Sequence, residues 1–122
     1  LLGEILVVIL SVDLLFDAAV RILLMEQSIT VSFSQNKARI KFPTTRRLAE
    51  FLNVPHYYVL PYFAMMEQEE LVTRAERVGI MTTEKGSLKM IEIMKSHYQQ
   101  ETEAIIGQTI FKEIEKKLNI TR

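Results

Sequence analysis

The sequence contains no cysteine and no tryptophan, and only two histidines, three prolines and four glycines. Without cysteine there is no disulfide framework, no thiolate nucleophile and no cysteine-based metal site, which fits a reducing, cytoplasmic setting. His56 and His97 stand apart and cannot make a zinc site on their own. No phosphate-cradling glycine loop, metal-ligand cluster or nucleophile–base motif occurs, so neither a catalytic role nor a cofactor is expected. Asp13 and Asp17 lie one helical turn apart, but with Arg21 a further turn on they read as an i,i+4 charge row on an exposed face. Net charge is missing as well. Lys plus Arg and Asp plus Glu number 15 each, so the whole molecule attracts neither nucleic acid nor an acidic membrane, and any such attraction must come from local clustering.

Apolar residues are abundant: 48% of 122 residues, enough for the core of a single domain over 1–122. Residues 1–27 read as a long helix in which Leu2, Ile5, Ile9, Val12, Phe16, Ala19 and Leu23 alternate steps of three and four. Leu6, Leu10, Leu14, Val20 and Leu24 widen that seam, and a helix apolar most of the way round is normally buried. Asp13, Asp17 and Arg21 interrupt the run, so it does not span a membrane, and no basic residue precedes it as in a signal peptide. The β-branched crowding in ILVVIL leaves a strand as the rival reading.

From Ser28 the period changes to two. Ile29, Val31 and Phe33, then Ala38, Ile40 and Phe42, alternate with polar residues around Gln35-Asn36, as in a β-hairpin. Its second arm carries Lys37, Arg39 and Lys41, and Arg46 and Arg47 follow, with no carboxylate between 37 and 47. Such a cluster suits a phosphate backbone. It equally suits a solvated strand edge, where Lys discourages edge-to-edge pairing. Pro43 ends the strand and Thr44 is placed to cap the next helix.

Arg46 to Val72 has the spacing of two short helices crossing over a tight turn. Leu48, Ala49, Phe51 and Leu52 share one face, Asn53 accepts a left-handed backbone at the corner, and Val54 plugs it. Pro55 suits the first position of a second helix, whose inner face is Val59, Phe63 and Met66. Pro61 removes a helical hydrogen bond, so a kink near Tyr57 or a restart at Pro61 is expected. A short hairpin follows in LVTRAERVGIM, and then Thr83-Glu84-Lys85-Gly86 opens a helix.

These elements, from residue 38 to about 95, together resemble the winged helix-turn-helix fold of MarR-like and PadR-like regulators, in which a Thr-x-x-Gly segment enters the helix after the wing. The resemblance implies an α+β, mostly α architecture with a core at 28–95, a DNA-binding regulator as function, and duplex DNA as partner. It makes His56, Tyr57, Leu60, Pro61 and Ala64 the positions facing the groove and Arg74 and Arg77 the wing contacts. His56, Tyr57, Arg74 and Arg77, with Lys37, Arg39, Lys41, Arg46, Arg47 and Lys85, form the candidate DNA-binding set. The groove-facing residues depart from the family pattern: base edges are read chiefly by Arg, Lys, Asn and Gln, and none occurs between Val54 and Glu67. An uncharged, aromatic face equally suits a winged helix that binds protein, and non-specific nucleoid-type binding is a third reading.

After Thr83 a helix is expected to continue to about Leu118, with 96–122 as a C-terminal dimerisation segment. Lys95 to Glu103 is polar and reads as solvent-bridging, Gly107 permits a bend, and Ile106, Ile110, Ile114 and Leu118 repeat every four residues. That stripe needs cover beyond its own motif. A homodimer is therefore expected, built from Ile5, Ile9, Val12 and Phe16 of the first helix and Ile106, Ile110, Ile114 and Leu118 of the last.

Overall fold

The computed structural model describes residues 9–119. Ser11 sets where the first helix begins, because its hydroxyl accepts the Leu14 N–H at 3.0 Å and so satisfies an orphan donor of the first turn. α1 therefore spans Val12–Met25 and does not extend over 1–27: Ile9 and Leu10 are not helical. Leu2, Ile5 and Leu6 lie outside the described residues. Within α1, Leu15, Phe16, Ala18, Ala19, Val20, Ile22 and Leu23 are all buried, as a helix apolar on most sides demands. It is the hub of the fold, touching every other helix.

The remaining elements are β1 (Val31–Ser34), β2 (Lys37–Phe42), α2 (Thr45–Leu52), α3 (His56–Gln68), β3 (Val72–Ala75), β4 (Gly79–Thr82), α4 (Glu84–His97) and α5 (Gln99–Lys117). The fold is thus α+β and mostly helical. The two hairpins join into one antiparallel sheet of order β1-β2-β4-β3. Period-two alternation turns Ala38, Ile40 and Phe42 inward, and Phe42 packs against Phe16 with ring centroids 5.1 Å apart. Between β2 and β4 the ladder is short, pairing Lys41 with Met81 and Phe42 with Ile80. Thr82 then extends the link with its side chain, whose Oγ1 accepts the Ile40 N–H at 2.8 Å and lies 2.6 Å from Ser87 Oγ. Both hydroxyls are buried and both are satisfied.

Thr44 caps α2 by accepting the Arg47 N–H at 3.1 Å. The helix stops at Asn53, whose left-handed φ of 57° and ψ of 47° turn the chain into α3. Pro55 stands at the cap position before α3 and is not its first helical residue. Val59, Phe63 and Met66 form the buried face. α3 runs through Pro61 as one helix, so the expected restart at Pro61 does not occur. Pro61 has no N–H to give the Tyr57 carbonyl, but Tyr57 sits on the exposed side, where water can serve it.

The C-terminal segment differs most from expectation. The continuous helix over 83–118 is broken at Tyr98 (φ −139°, ψ 33°) and again at Gly107 (φ 83°, ψ 156°). Only glycine enters that second region at no steric cost. The two breaks fold the chain back on itself, so Phe111, Ile114 and Leu118 enter the same core as α1. Lys95 Nζ meets Glu115 Oε2 at 2.8 Å, and Lys117 Nζ donates to the Gln35 carbonyl at 2.7 Å in the β1–β2 turn. Most of 95–103 is exposed, as its polar composition leads one to expect, and Thr102 alone of that stretch is buried. Phe16, Ile114 and Leu118 are therefore core residues of one chain and have no surface to offer a second copy. Val12 and Ile106 are half-buried against that core, whereas Ile9 and Ile110 remain exposed.

Candidate nucleic-acid interface

β2 runs from Lys37 to Phe42 and hands the chain through Pro43 and Thr44 to α2, so Arg46 emerges at the Phe42 end of the sheet. β4 starts at Gly79 with Ile80 opposite Phe42, so the β3–β4 turn projects from that same end. Arg77 sits in this turn. The turn closes with the Val78 N–H donating to the Ala75 carbonyl at 3.1 Å, and Arg77 takes a φ of 67° at its third position. That position ordinarily belongs to Gly or Asn. The start of α3 is also here: His56 Nε2 lies 2.7 Å from Thr45 Oγ1, and one surface cleft is lined by Arg46, Glu50, Asn53, Pro55 and His56.

The other candidate cations divide by place and by partner. Lys41, on the outer face of the sheet, is a few residues from this end and exposed, while Lys37 is at the opposite end of β2. Lys85 is at that far end too, donating to the Glu69 carbonyl at 3.1 Å. Arg39 Nε donates to the Thr82 carbonyl at 3.0 Å. Arg47 pairs with Glu26 at 2.9 Å, and Arg74 pairs with Glu67 at 3.2 Å while its guanidinium lies 4.9 Å from the Phe63 ring centre. Of the candidate set, then, Arg46 and His56 line one cleft, and Lys41, Tyr57 and Arg77 lie toward the same end of the sheet without sharing that cleft. Lys37 and Lys85 do not join them, and Arg39, Arg47 and Arg74 are already committed to partners within the chain.

The outer face of α3 begins beside this cleft. On a 3.6-residue period the side opposite Val59, Phe63 and Met66 carries Tyr57, Leu60, Pro61, Ala64, Met65 and Tyr58, all exposed. Tyr57 is 67% exposed, Tyr58 50%, Met65 43% and Leu60 42%, and the two tyrosine rings meet edge to face at 4.8 Å. No charged side chain interrupts this face; the carboxylates of Glu69 and Glu70 follow at the C-terminal end of the helix. Tyr58 and Met65 were absent from the candidate set, although their helical spacing from Val59 and Phe63 already turns them outward.

The charge row of α1 also resolves into tethers. Asp13 pairs with Lys89 at 2.6 Å, Asp17 accepts the Tyr98 hydroxyl at 2.9 Å, and Arg21 lies 5.2 Å from the centre of the Phe51 ring. Burial, the hydrogen bond to Asp17 and the Asp17 charge, in that order, push the Tyr98 hydroxyl above the usual tyrosine range. Among the described residues no group of three or more His, Asp or Glu is placed to hold a metal ion, and no helix is long and apolar enough to cross a membrane. No known protein family, characterised protein sequence or solved structure matches this chain.

Proposed function

We propose that this chain is a winged helix-turn-helix protein that binds duplex DNA, with α3 turned to the major groove and Arg46 and Arg77 on phosphates to either side of it. One observation carries the reading. The start of α2, the start of α3 and the tip of the β3–β4 hairpin all lie toward the same end of the sheet, and two of the cations there, Arg46 and Arg77, have no partner within the described residues. Arg77 supports it further, because a turn that holds Arg at positive φ accepts a cost that Gly would avoid. Most affinity would then come from the phosphate backbone, since the face of α3 has little with which to read base edges.

Titration of labelled duplexes at two salt concentrations tests this. Each neutralised phosphate contributes about 0.9 to the slope of log affinity against log salt. Arg46→Ala with Arg77→Ala should flatten that slope by roughly 2 without changing which duplex is preferred. Absence of binding to every duplex at the lower salt would overturn the proposal. A second reading, a winged helix that binds protein, is favoured by the uncharged outer face of α3, and it expects no duplex binding at any salt.

A further inference from the structure

We infer that the free edge of β1 pairs with β1 of a second copy of this chain, the two strands lying antiparallel about a two-fold axis through Ser32. This rests on the hydrogen bonding of the sheet and not on DNA binding. β1 stands at one edge of the order β1-β2-β4-β3, and its residues Ser32, Phe33 and Ser34 are exposed. Two hydrogen bonds fix which of its backbone groups are free. Lys41 donates its N–H to the Thr30 carbonyl at 2.9 Å, so these two residues form a hydrogen-bonded pair, and by alternation so do Ser32 with Arg39 and Ser34 with Lys37. Ile40, opposite Val31, accordingly turns its N–H the other way, to Thr82 Oγ1 at 2.8 Å. The N–H and carbonyl groups of Val31 and Phe33 therefore point out of the sheet edge, and no hydrogen bond reaches them among the described residues. Unpaired groups of this kind are a template for a further strand.

The occupant follows from the register and the side chains. With the axis at Ser32, Val31 lies opposite Phe33 of the second copy and Phe33 opposite its Val31, so each pair exchanges both N–H···O bonds and every outward group of the two residues is used. Ser32 meets its own copy on the axis as a non-hydrogen-bonded pair, where α-carbons approach to about 4.5 Å and small side chains fit. Val31 and Phe33 share the face of Ile40 and Ala38, their partners in β2, which is the core face. Val31 packs against the core, but Phe33 is 40% exposed, a core-facing aromatic that its own chain leaves uncovered. In the pair each Phe33 gains a Val31 directly across from it, an aromatic against a β-branched side chain. Charge points the same way. No residue from Gln27 to Asn36 is charged, so setting the edge against itself brings no repulsion, whereas β3 at the opposite edge carries Arg74, and charge on an edge discourages pairing. The basic side chains of the two β2 strands stay three strand spacings apart, about 14 Å, beyond the Debye length of about 8 Å at physiological salt.

Sedimentation of the unmodified protein at about 100 µM, without DNA, should show a dimer. Phe33→Pro removes an outward N–H and no bond to β2, so it should keep native circular dichroism and weaken the dimer at least about tenfold. The register is read by cross-linking. The sequence has no cysteine, so Ser32→Cys supplies the one thiol of each chain, and on the axis two such thiols lie within disulfide reach. Ser34→Cys is the control: Ser34 is exposed on the same face but offset from its copy by four residues, about 13 Å, whereas a disulfide needs α-carbons within about 7 Å. Under mild oxidation Ser32→Cys should form covalent dimer at least about tenfold faster than Ser34→Cys. A monomeric unmodified protein, a dimer unaffected by Phe33→Pro, or equal cross-linking of the two cysteine variants would overturn the inference. Duplex titration reads the proposed function separately, so the failure of one does not imply failure of the other.

Discussion

A methyl group placed on Gly86 would lie 1.8 Å from the carbonyl oxygen of Leu71. The close approach is held by Thr83, which donates its N–H to the Leu71 carbonyl at 3.0 Å and its hydroxyl to the Glu70 carbonyl while accepting the Gly86 N–H at 3.0 Å. The Thr-x-x-Gly segment is thus a clamp between the end of α3 and the start of α4. Gly86→Ala must move backbone, not a flexible side-chain tip, so a loss of about 2 kcal/mol or more is expected in urea denaturation. An unchanged midpoint would mean that α4 is not seated on Leu71.

The Tyr98 hydroxyl donates to Asp17 across the break between α4 and α5, and its pKa is raised in the folded state. A raised pKa means the native state favours the neutral phenol. The corresponding stability is complete below the unfolded tyrosine pKa of about 10 and is lost as pH rises through the folded value. Stability measured at pH 8 and above pH 10 should fall more in the unmodified protein than in Tyr98→Phe. Equal losses in both would remove Tyr98 from the alkaline response.

The elements legible in advance were those whose signal is local. Thr44 and Asn53 bound α2 by a side-chain acceptor and a left-handed backbone, and both are chemistry of single residues. Alternation from Ile29 to Phe42 marked the first hairpin, and Val59, Phe63 and Met66 marked the buried face of α3. What escaped depends on distant partners. Apolar spacing places Phe16 and Ile114 on a stripe, but whether that stripe meets its own chain or another depends on Tyr98 and Gly107 folding α5 back. The basic run at 37–47 has the same limit: adjacency in sequence hid the pairing of Arg47 with Glu26 and of Arg39 with the Thr82 carbonyl, both distant along the chain.

Arg77 occupies a left-handed position in the β3–β4 turn that Gly takes without a Cβ clash. Arg77→Gly should therefore raise stability by up to about 1 kcal/mol, less whatever the unfolded chain gains in freedom. The same change should lower affinity for duplex at low salt. A variant that gains stability and keeps full duplex affinity would show that the arginine serves the turn's solubility and not a phosphate.

Ile114 separates a core within one chain from a core shared between two. It is 1% exposed, on the part of α5 that follows the Gly107 bend, and it belongs to the same buried cluster as Phe16 and Ile40. Truncating a fully buried isoleucine typically costs about 2–5 kcal/mol, because the lost transfer energy is joined by the cavity left behind. If the cover is intrachain, that loss belongs to the folding of a single copy and does not depend on protein concentration. If instead Ile114 packed against a second subunit, stability would fall with dilution and the variant would behave as a dissociated chain. The urea midpoint of Ile114→Ala should be lower than that of the unmodified protein by the same amount at 1 and 100 µM, and a difference that grows on dilution would return Ile114 to a subunit interface.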